Sequence, residues 1–129
     1  MKSESMDVMH RWVKEVWNKK RKETIDEIFA DAGVARSFVG ESGQELRDHA
    51  GSKPFFRRFR NASPDLQVAI EDCFTEGERA VARCTVNAKQ TGNPVEFTGI
   101  SIIRAGNGKI VEAWNNFDFM SLNQQVAVI

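Results

Sequence analysis

The chain has no tyrosine, only three prolines, two cysteines and two histidines in 129 residues. Two cysteines make no disulfide framework, and neither stands with a histidine at metal-ligand spacing. Cys73 and Cys84 therefore read as reduced, half-buried strand residues, and no metal is expected. Neither GxGxxG nor GxxxxGK[ST] occurs, so nucleotide chemistry has no motif behind it, and no serine sits in a GxSxG elbow for nucleophilic hydrolysis. No apolar run approaches the ~18 residues of a membrane span, and "MKSESMDVMH" lacks the apolar centre of a secretion signal. A cytoplasmic location is the expectation. Eighteen basic and eighteen acidic residues cancel. No global field then draws the protein toward nucleic acid or an anionic membrane, and small neutral ligands are the expected partners.

What is present fits one domain, 1–129, with 41% hydrophobic residues to fill a core. Met6, Met9, Val13, Val16 and Trp17 recur at spacings of three and four, the stripe of an amphipathic helix. "KKRK" (Lys19–Lys22) ends that face, and cationic residues in a last helical turn suit the helix dipole better than they suggest nucleic acid. "ETIDEIFA" restarts the stripe with Ile25, Ile28 and Phe29. "GQELRDHAGSKPFFRRFRNASPD" carries Leu46, Phe55, Phe56 and Phe59 between glycine and proline breaks, the pattern of an interrupted helix and a candidate lid. Its "FFRRFR" run is read as a buried aromatic face rather than a single-strand binding stripe.

After Pro64 the pattern becomes that of strands. "DLQVAIEDCFTEG", "RAVARCTVNAKQT", "PVEFTGISIIRAG" and "KIVEAWNNFDF" are rich in β-branched and aromatic residues and are separated by "EGE", "TGN" and "AGNGK". They predict a meander of three hairpins with the helical N-terminal half covering one face, an α+β fold. A curved sheet closed by helices on one side is a cone, and its interior is where a small ligand would be held.

The last strand concentrates the candidates. Without a bulge, alternation puts Ile110, Glu112, Trp114, Asn116 and Asp118 on one side and Val111, Ala113, Asn115 and Phe117 on the other. Glu112 and Asp118 are then ~20 Å apart, too far for a carboxylate pair, and Glu112 is expected to pair with Arg104 or Lys109. Asn116, ~7 Å from Asp118 along the strand, is placed to share a ligand with it. A carboxyl enclosed by apolar groups keeps its proton toward neutral pH, the property a general acid or base needs. Asp118, between Phe117 and Phe119, is the catalytic candidate on that ground. The pattern by itself favours the other reading, in which Asp118 caps "SLNQQV" or pairs with an arginine at the strand end. His49, in the lid segment, is a lesser candidate for ligand contact, and His10 reads as a packed or surface residue.

The ordered series "VWN", "IDEIFA", "SPDLQVAIED", "VARCTV", "VEFTGISIIRAGNGKIVEAWNNFD" and "LNQQV" resembles the SnoaL-like polyketide cyclase or ester cyclase family, of the nuclear-transport-factor-two-like superfamily, from about Met9 to Val126. The resemblance implies a cone-shaped curved antiparallel sheet, a cystatin-like roll, with three helices packed across it and a homodimer formed through sheet faces. It implies ring closure by intramolecular aldol condensation without metal or organic cofactor, with an aspartate near the end of the last strand as acid or base. The matching residue is Asp118, with Trp114, Asn115, Asn116, His49 and Phe97 as substrate-binding candidates. Ala113 departs from the family, which often has histidine there, and the short "KQTGNPVE" connection suggests a smaller ligand. The ketosteroid isomerases need a tyrosine that is absent, and limonene epoxide hydrolase needs an Arg-x-Asp where Arg83 is followed by Cys84 and Thr85. The expected function is a cofactor-independent enzyme acting on a carbonyl compound. The alternative is a non-catalytic dimeric module that binds a small apolar ligand or a protein.

Overall fold

A computed structural model describes residues 4–21, 23–39, 45–47, 65–90, 93–118 and 120–121. Helix α1 (Glu4–Arg11) opens it, with Glu4 and Asp7 in its first turn and His10 and Arg11 in its last, both favourable to the helix dipole. It continues into a π-helical segment, Trp12–Asn18, which buries Trp12, Val13 and Val16. The wide turn closes with the Lys19 N–H donating to the Lys14 carbonyl at 3.0 Å, and the left-handed Lys20 (φ 60°) ends it. Helix α2 (Glu23–Ile28) buries Thr24, Ile25 and Ile28. Glu15 binds Arg11 at 2.8 Å, Arg21 at 3.2 Å and the Thr24 hydroxyl at 3.0 Å, which ties the three helical pieces together.

Six strands follow: β1 (Phe29–Val39), β2 (Glu45–Arg47), β3 (Gln67–Glu76), β4 (Arg79–Gln90), β5 (Asn93–Gly106) and β6 (Lys109–Phe117), in the order β2-β1-β6-β5-β4-β3. The expected meander is β3 to β6, all antiparallel. Two strands lie earlier than the sequence reading placed any. β1 runs parallel to β6, and β2 occupies Glu45–Arg47 within the stretch read as interrupted helix. The rest of that stretch, with His49, Phe55, Phe56 and Phe59, lies outside the described residues. The β5–β6 reversal uses Asn107 and Gly108, both at positive φ (53° and 77°), the asparagine-glycine pair that two-residue hairpins favour. The Glu4 carboxylate accepts the N–H of Gly108, clipping the start of α1 to this turn.

Helix α1 lies across β3, β4 and β5 and defines an inner sheet face. That face carries Ala80, Ala82, Cys84 and Val86 of β4 and Phe97, Ser101 and Ile103 of β5, all buried. The outer face is ordered in rows by the register. Glu76, Arg79, Arg104 and Glu112 form a charged row; beside it Phe74, Val81, Ile102 and Trp114 form an apolar one, and Asp72, Arg83, Ile100 and Asn116 the next. Within the charged row Arg104 reaches Glu112 at 3.5 Å, as expected from sequence, and Arg79 lies 5.8 Å from the centre of the Trp114 ring. Cys73 and Cys84 are free thiols, half-buried and buried.

Candidate functional site

The β6 strand carries a bulge that changes which side chains share a face. Arg104 pairs with Glu112 but Ala105 pairs with Ile110, so one extra β6 residue is inserted between them. Ile110 therefore joins Ala113 and Asn115 among the buried residues, while Glu112, Trp114 and Asn116 point to the outer face. Ile110 thus leaves the face that unbroken alternation assigned to it, and Asn115 and Asn116 lie on opposite sides of the sheet.

Asp118 follows β6 and extends its ladder by one bond, its N–H donating to the Thr98 carbonyl at 2.9 Å. Its side chain is exposed rather than enclosed by the flanking apolar groups. Oδ1 accepts the N–H of Ser121 at 2.9 Å, the geometry of a side chain capping the turn that follows. Among the described residues Oδ2 has no hydrogen-bond partner. The carboxylate is thus oriented by one oxygen and presents the other.

It borders a cleft of about 570 Å³ with Arg83, Thr98, Ile100, Asn116 and Met120. Asn116 and Asp118 both border this cleft. Arg83 supplies the cationic group there, held to Asp72 at 2.7 Å with both side chains largely exposed. A shallower depression of about 340 Å³ adjoins, lined by Ile100, Ile102, Trp114, Asn115 and Asn116. Of the other candidates, Phe97 lies in the core, its ring edge-on to Phe117 with centres 6.4 Å apart. Asn115 is buried on the inner face and accepts a hydrogen bond from the Ser101 hydroxyl at 2.9 Å. His49 lies outside the described residues.

Arg83, Thr98, Ile100 and Ser101 were not singled out as site residues from sequence. The signal that reaches them is cross-strand register: with the β4–β5 and β5–β6 pairing fixed, Arg83 falls opposite Ile100, Ile100 opposite Asn116, and Ser101 opposite Asn115. Among the described residues no group of three His, Cys, Asp or Glu side chains is arranged to hold a metal ion, and no helix is long and apolar enough to cross a membrane.

Residues 7–126 match the family model of the SnoaL-like polyketide cyclases. No curated protein matches the sequence. Solved structures are similar at low identity. IdmH, a candidate polyketide cyclase from Streptomyces antibioticus, is 22% identical with a TM-score of 0.85, over 97% of this chain and 99% of that one. A candidate polyketide cyclase from Bacillus cereus is 23% identical with a TM-score of 0.85, over 98% and 82%. AclR, a candidate hydroxylase from Streptomyces galilaeus, is 21% identical with a TM-score of 0.80, over 98% and 97%. At these identities the structures speak to the fold, and their different described activities illustrate that one scaffold hosts several chemistries.

Proposed function

This chain belongs to the SnoaL-like polyketide cyclase family, and on that premise we propose that it is a cofactor-independent small-molecule enzyme of the cyclase or isomerase kind, with Asp118 transferring protons on a carbonyl compound. The observation that carries the reading is the placement of the Asp118 carboxylate: oriented through one oxygen by the Ser121 N–H, it borders the same cleft as the Asn116 amide and the Arg83 guanidinium. Asp118 removes a proton alpha to a carbonyl, and Asn116 with Arg83 stabilises the enolate oxygen that forms. In an aldol closure the enolate carbon bonds to a second carbonyl of the same molecule. The resulting alkoxide takes a proton back, so no oxidant or reductant is needed.

A second reading has its own observation. Asp118 is exposed and already caps the following turn, which is what a non-catalytic module that binds an apolar ligand or protein would also have there. Exchange of alpha protons into deuterated water, followed by proton NMR on a panel of aromatic 1,3-diketones, separates the two. The enzyme accelerates exchange, and Asp118→Asn loses about a hundredfold or more of that acceleration. Equal rates in parent and variant, or no acceleration by the parent, leave the binding module.

The assembly belongs to the same reading: a homodimer through the outer sheet face. Its support is the apolar row Phe74, Val81, Ile102 and Trp114, with Phe74 61% exposed and Ile100 beside it 47% exposed. The charged row Glu76, Arg79, Arg104 and Glu112 borders it, and an apolar patch with a charged rim is the composition of an interaction face.

A further inference from the structure

A bulge in β3 decides what faces Arg83. Ile70 pairs with Cys84 and Asp72 with Arg83, so Glu71 is an extra residue in β3. Ile70 packs against the core cluster. Unbroken alternation from it would put Asp72 on the inner face too, and the insertion puts Asp72 opposite Arg83 on the outer one. There one oxygen of the Asp72 carboxylate, Oδ2, accepts two bonds from the arginine, from Nε at 2.8 Å and from Nη2 at 2.7 Å. Both side chains are largely exposed, and an ion pair of that kind adds little to stability. It does fix the plane and direction of the guanidinium. Among the described residues Nη1 has no hydrogen-bond partner, so Nη1 and the second hydrogen of Nη2 remain as a parallel pair of donors. Arg83 borders the cleft of about 570 Å³ together with Asn116 and Asp118, whereas Asp72 does not.

We propose that Asp72 is a positioning residue for this cleft: it holds Arg83 so that the remaining N–H pair meets two oxygens of one ligand, the side-by-side oxygens of a 1,3-dicarbonyl enolate. The inference rests on the reading of the cleft as the place where Asp118 forms an enolate, and it narrows the ligand. A monoketone enolate has one charged oxygen and uses one donor. An open 1,3-dicarbonyl enolate spreads its charge over two oxygens on one side of a plane, which the planar fork of an arginine matches and the point charge of a lysine does not. A ring that holds the two oxygens apart has the same charge without the match. Asp72 touches no ligand in this arrangement and acts through Arg83.

The test needs no turnover. At neutral pH 1,3-cyclohexanedione and 2-acetyl-1,3-cyclohexanedione are both enolate anions, the first with its oxygens held apart by the ring, the second with an acetyl and a ring oxygen side by side. Each is titrated, with cyclohexanecarboxylate as a third anion, into ¹⁵N-labelled Asp118→Asn protein, whose amide stands for the protonated carboxyl that accompanies an enolate. The Arg83 Nε signal is followed by NMR. The expected result is saturable binding of the acetyl compound about tenfold tighter than of the plain dione. Asp72→Asn and Arg83→Lys reduce that ratio to about twofold or less. Glu71→Gln, which removes the same charge from the inserted residue, leaves it unchanged. A purely structural role for Asp72 would not move the ratio. Equal affinity for the two diones, a ratio that Glu71→Gln lowers as far as Asp72→Asn does, tighter binding of the carboxylate than of the acetyl compound, or no saturable shift overturns the proposal. Alpha-proton exchange by the parent is read separately. Exchange together with equal affinities removes the positioning role alone, and a retained preference without exchange removes the enzyme while Asp72 and Arg83 keep their ligand.

Discussion

The side-chain amide of Asn18 pairs with both main-chain polar groups of Val68: Nδ2 donates to the Val68 carbonyl at 2.9 Å and Oδ1 accepts the Val68 N–H at 2.6 Å. One side chain thereby takes the place of a neighbouring strand at this point of β3, an edge strand of the sheet. An unpaired strand edge is a template for association, and this contact both covers it and fixes the end of the π-helical segment.

Asn18→Ala should therefore cost more than a surface substitution. Two partly buried backbone groups lose their partner, a destabilisation of about 1–3 kcal/mol. Urea denaturation measures the loss, and amide exchange should rise first at Val68. A variant as stable as the parent would mean that water replaces both bonds without penalty.

Gly99 and Phe117 set a second constraint. A Cβ at Gly99 would lie 2.2 Å from the Phe117 ring, which rests on the bare backbone of its cross-strand partner. Gly99→Ala is expected to destabilise by about 1–3 kcal/mol through this overlap. In the Phe117→Leu background the same change should cost clearly less, and a double-mutant cycle reads the difference. Additive effects would show that the strain is relieved elsewhere.

Burial, assisted by Cys73 and Glu71, pushes the Cys84 thiol from 9.0 up to about 11, and burial also raises Cys73. A thiol is neutral when protonated, so the folded state holds this proton to higher pH than the unfolded chain. The Cys84 contribution to stability is thus full below about pH 9 and is lost as pH rises toward 11. Denaturation midpoints of the parent should fall over that window more than those of Cys84→Ala. Alkylation at pH 8 should label half-buried Cys73 well before Cys84, and equal rates would refute the burial argument.

The meander was legible in the sequence because its signals are local: "EGE" and "AGNGK" each carry the glycine their reversals use, and the strands between them alternate. What escaped depends on contacts distant in the chain. "FADAGVARSFV" is rich in alanine and contains Asp31 and Gly33, a poor strand by composition, yet it is a strand because β6 pairs with it. The bulge beside Ile110 has no mark in the residues that form it. With a side-chain period of two, that one residue was enough to place Ile110 with Ala113 and Asn115. The candidate site was legible to the extent that Asn116 and Asp118 share a cleft. The reading of Asp118 as the cap of the segment that follows is met by its bond from the Ser121 N–H, whereas its enclosure by apolar groups is not, because burial at a strand end is decided by what packs over it.

The outer face tests the proposed assembly. Ile102 is central to the apolar row, paired with Val81 on one side and Trp114 on the other. In a face-to-face dimer it lies at the contact, so Ile102→Glu places an unpaired charge in a desolvated interface. The dissociation constant should then rise about tenfold or more, each factor of ten corresponding to ~1.4 kcal/mol. The monomer keeps its core because the residue is on the face away from the helices, so its denaturation midpoint should change little. Sedimentation equilibrium distinguishes the outcomes. A parent that is monomeric, or an Ile102→Glu variant as dimeric as the parent, would remove this face as the contact. Loss of the dimer together with loss of alpha-proton exchange at Asp118 would further tie the cleft to assembly, since Ile100 and Asn116 border that cleft while lying in the row next to Ile102.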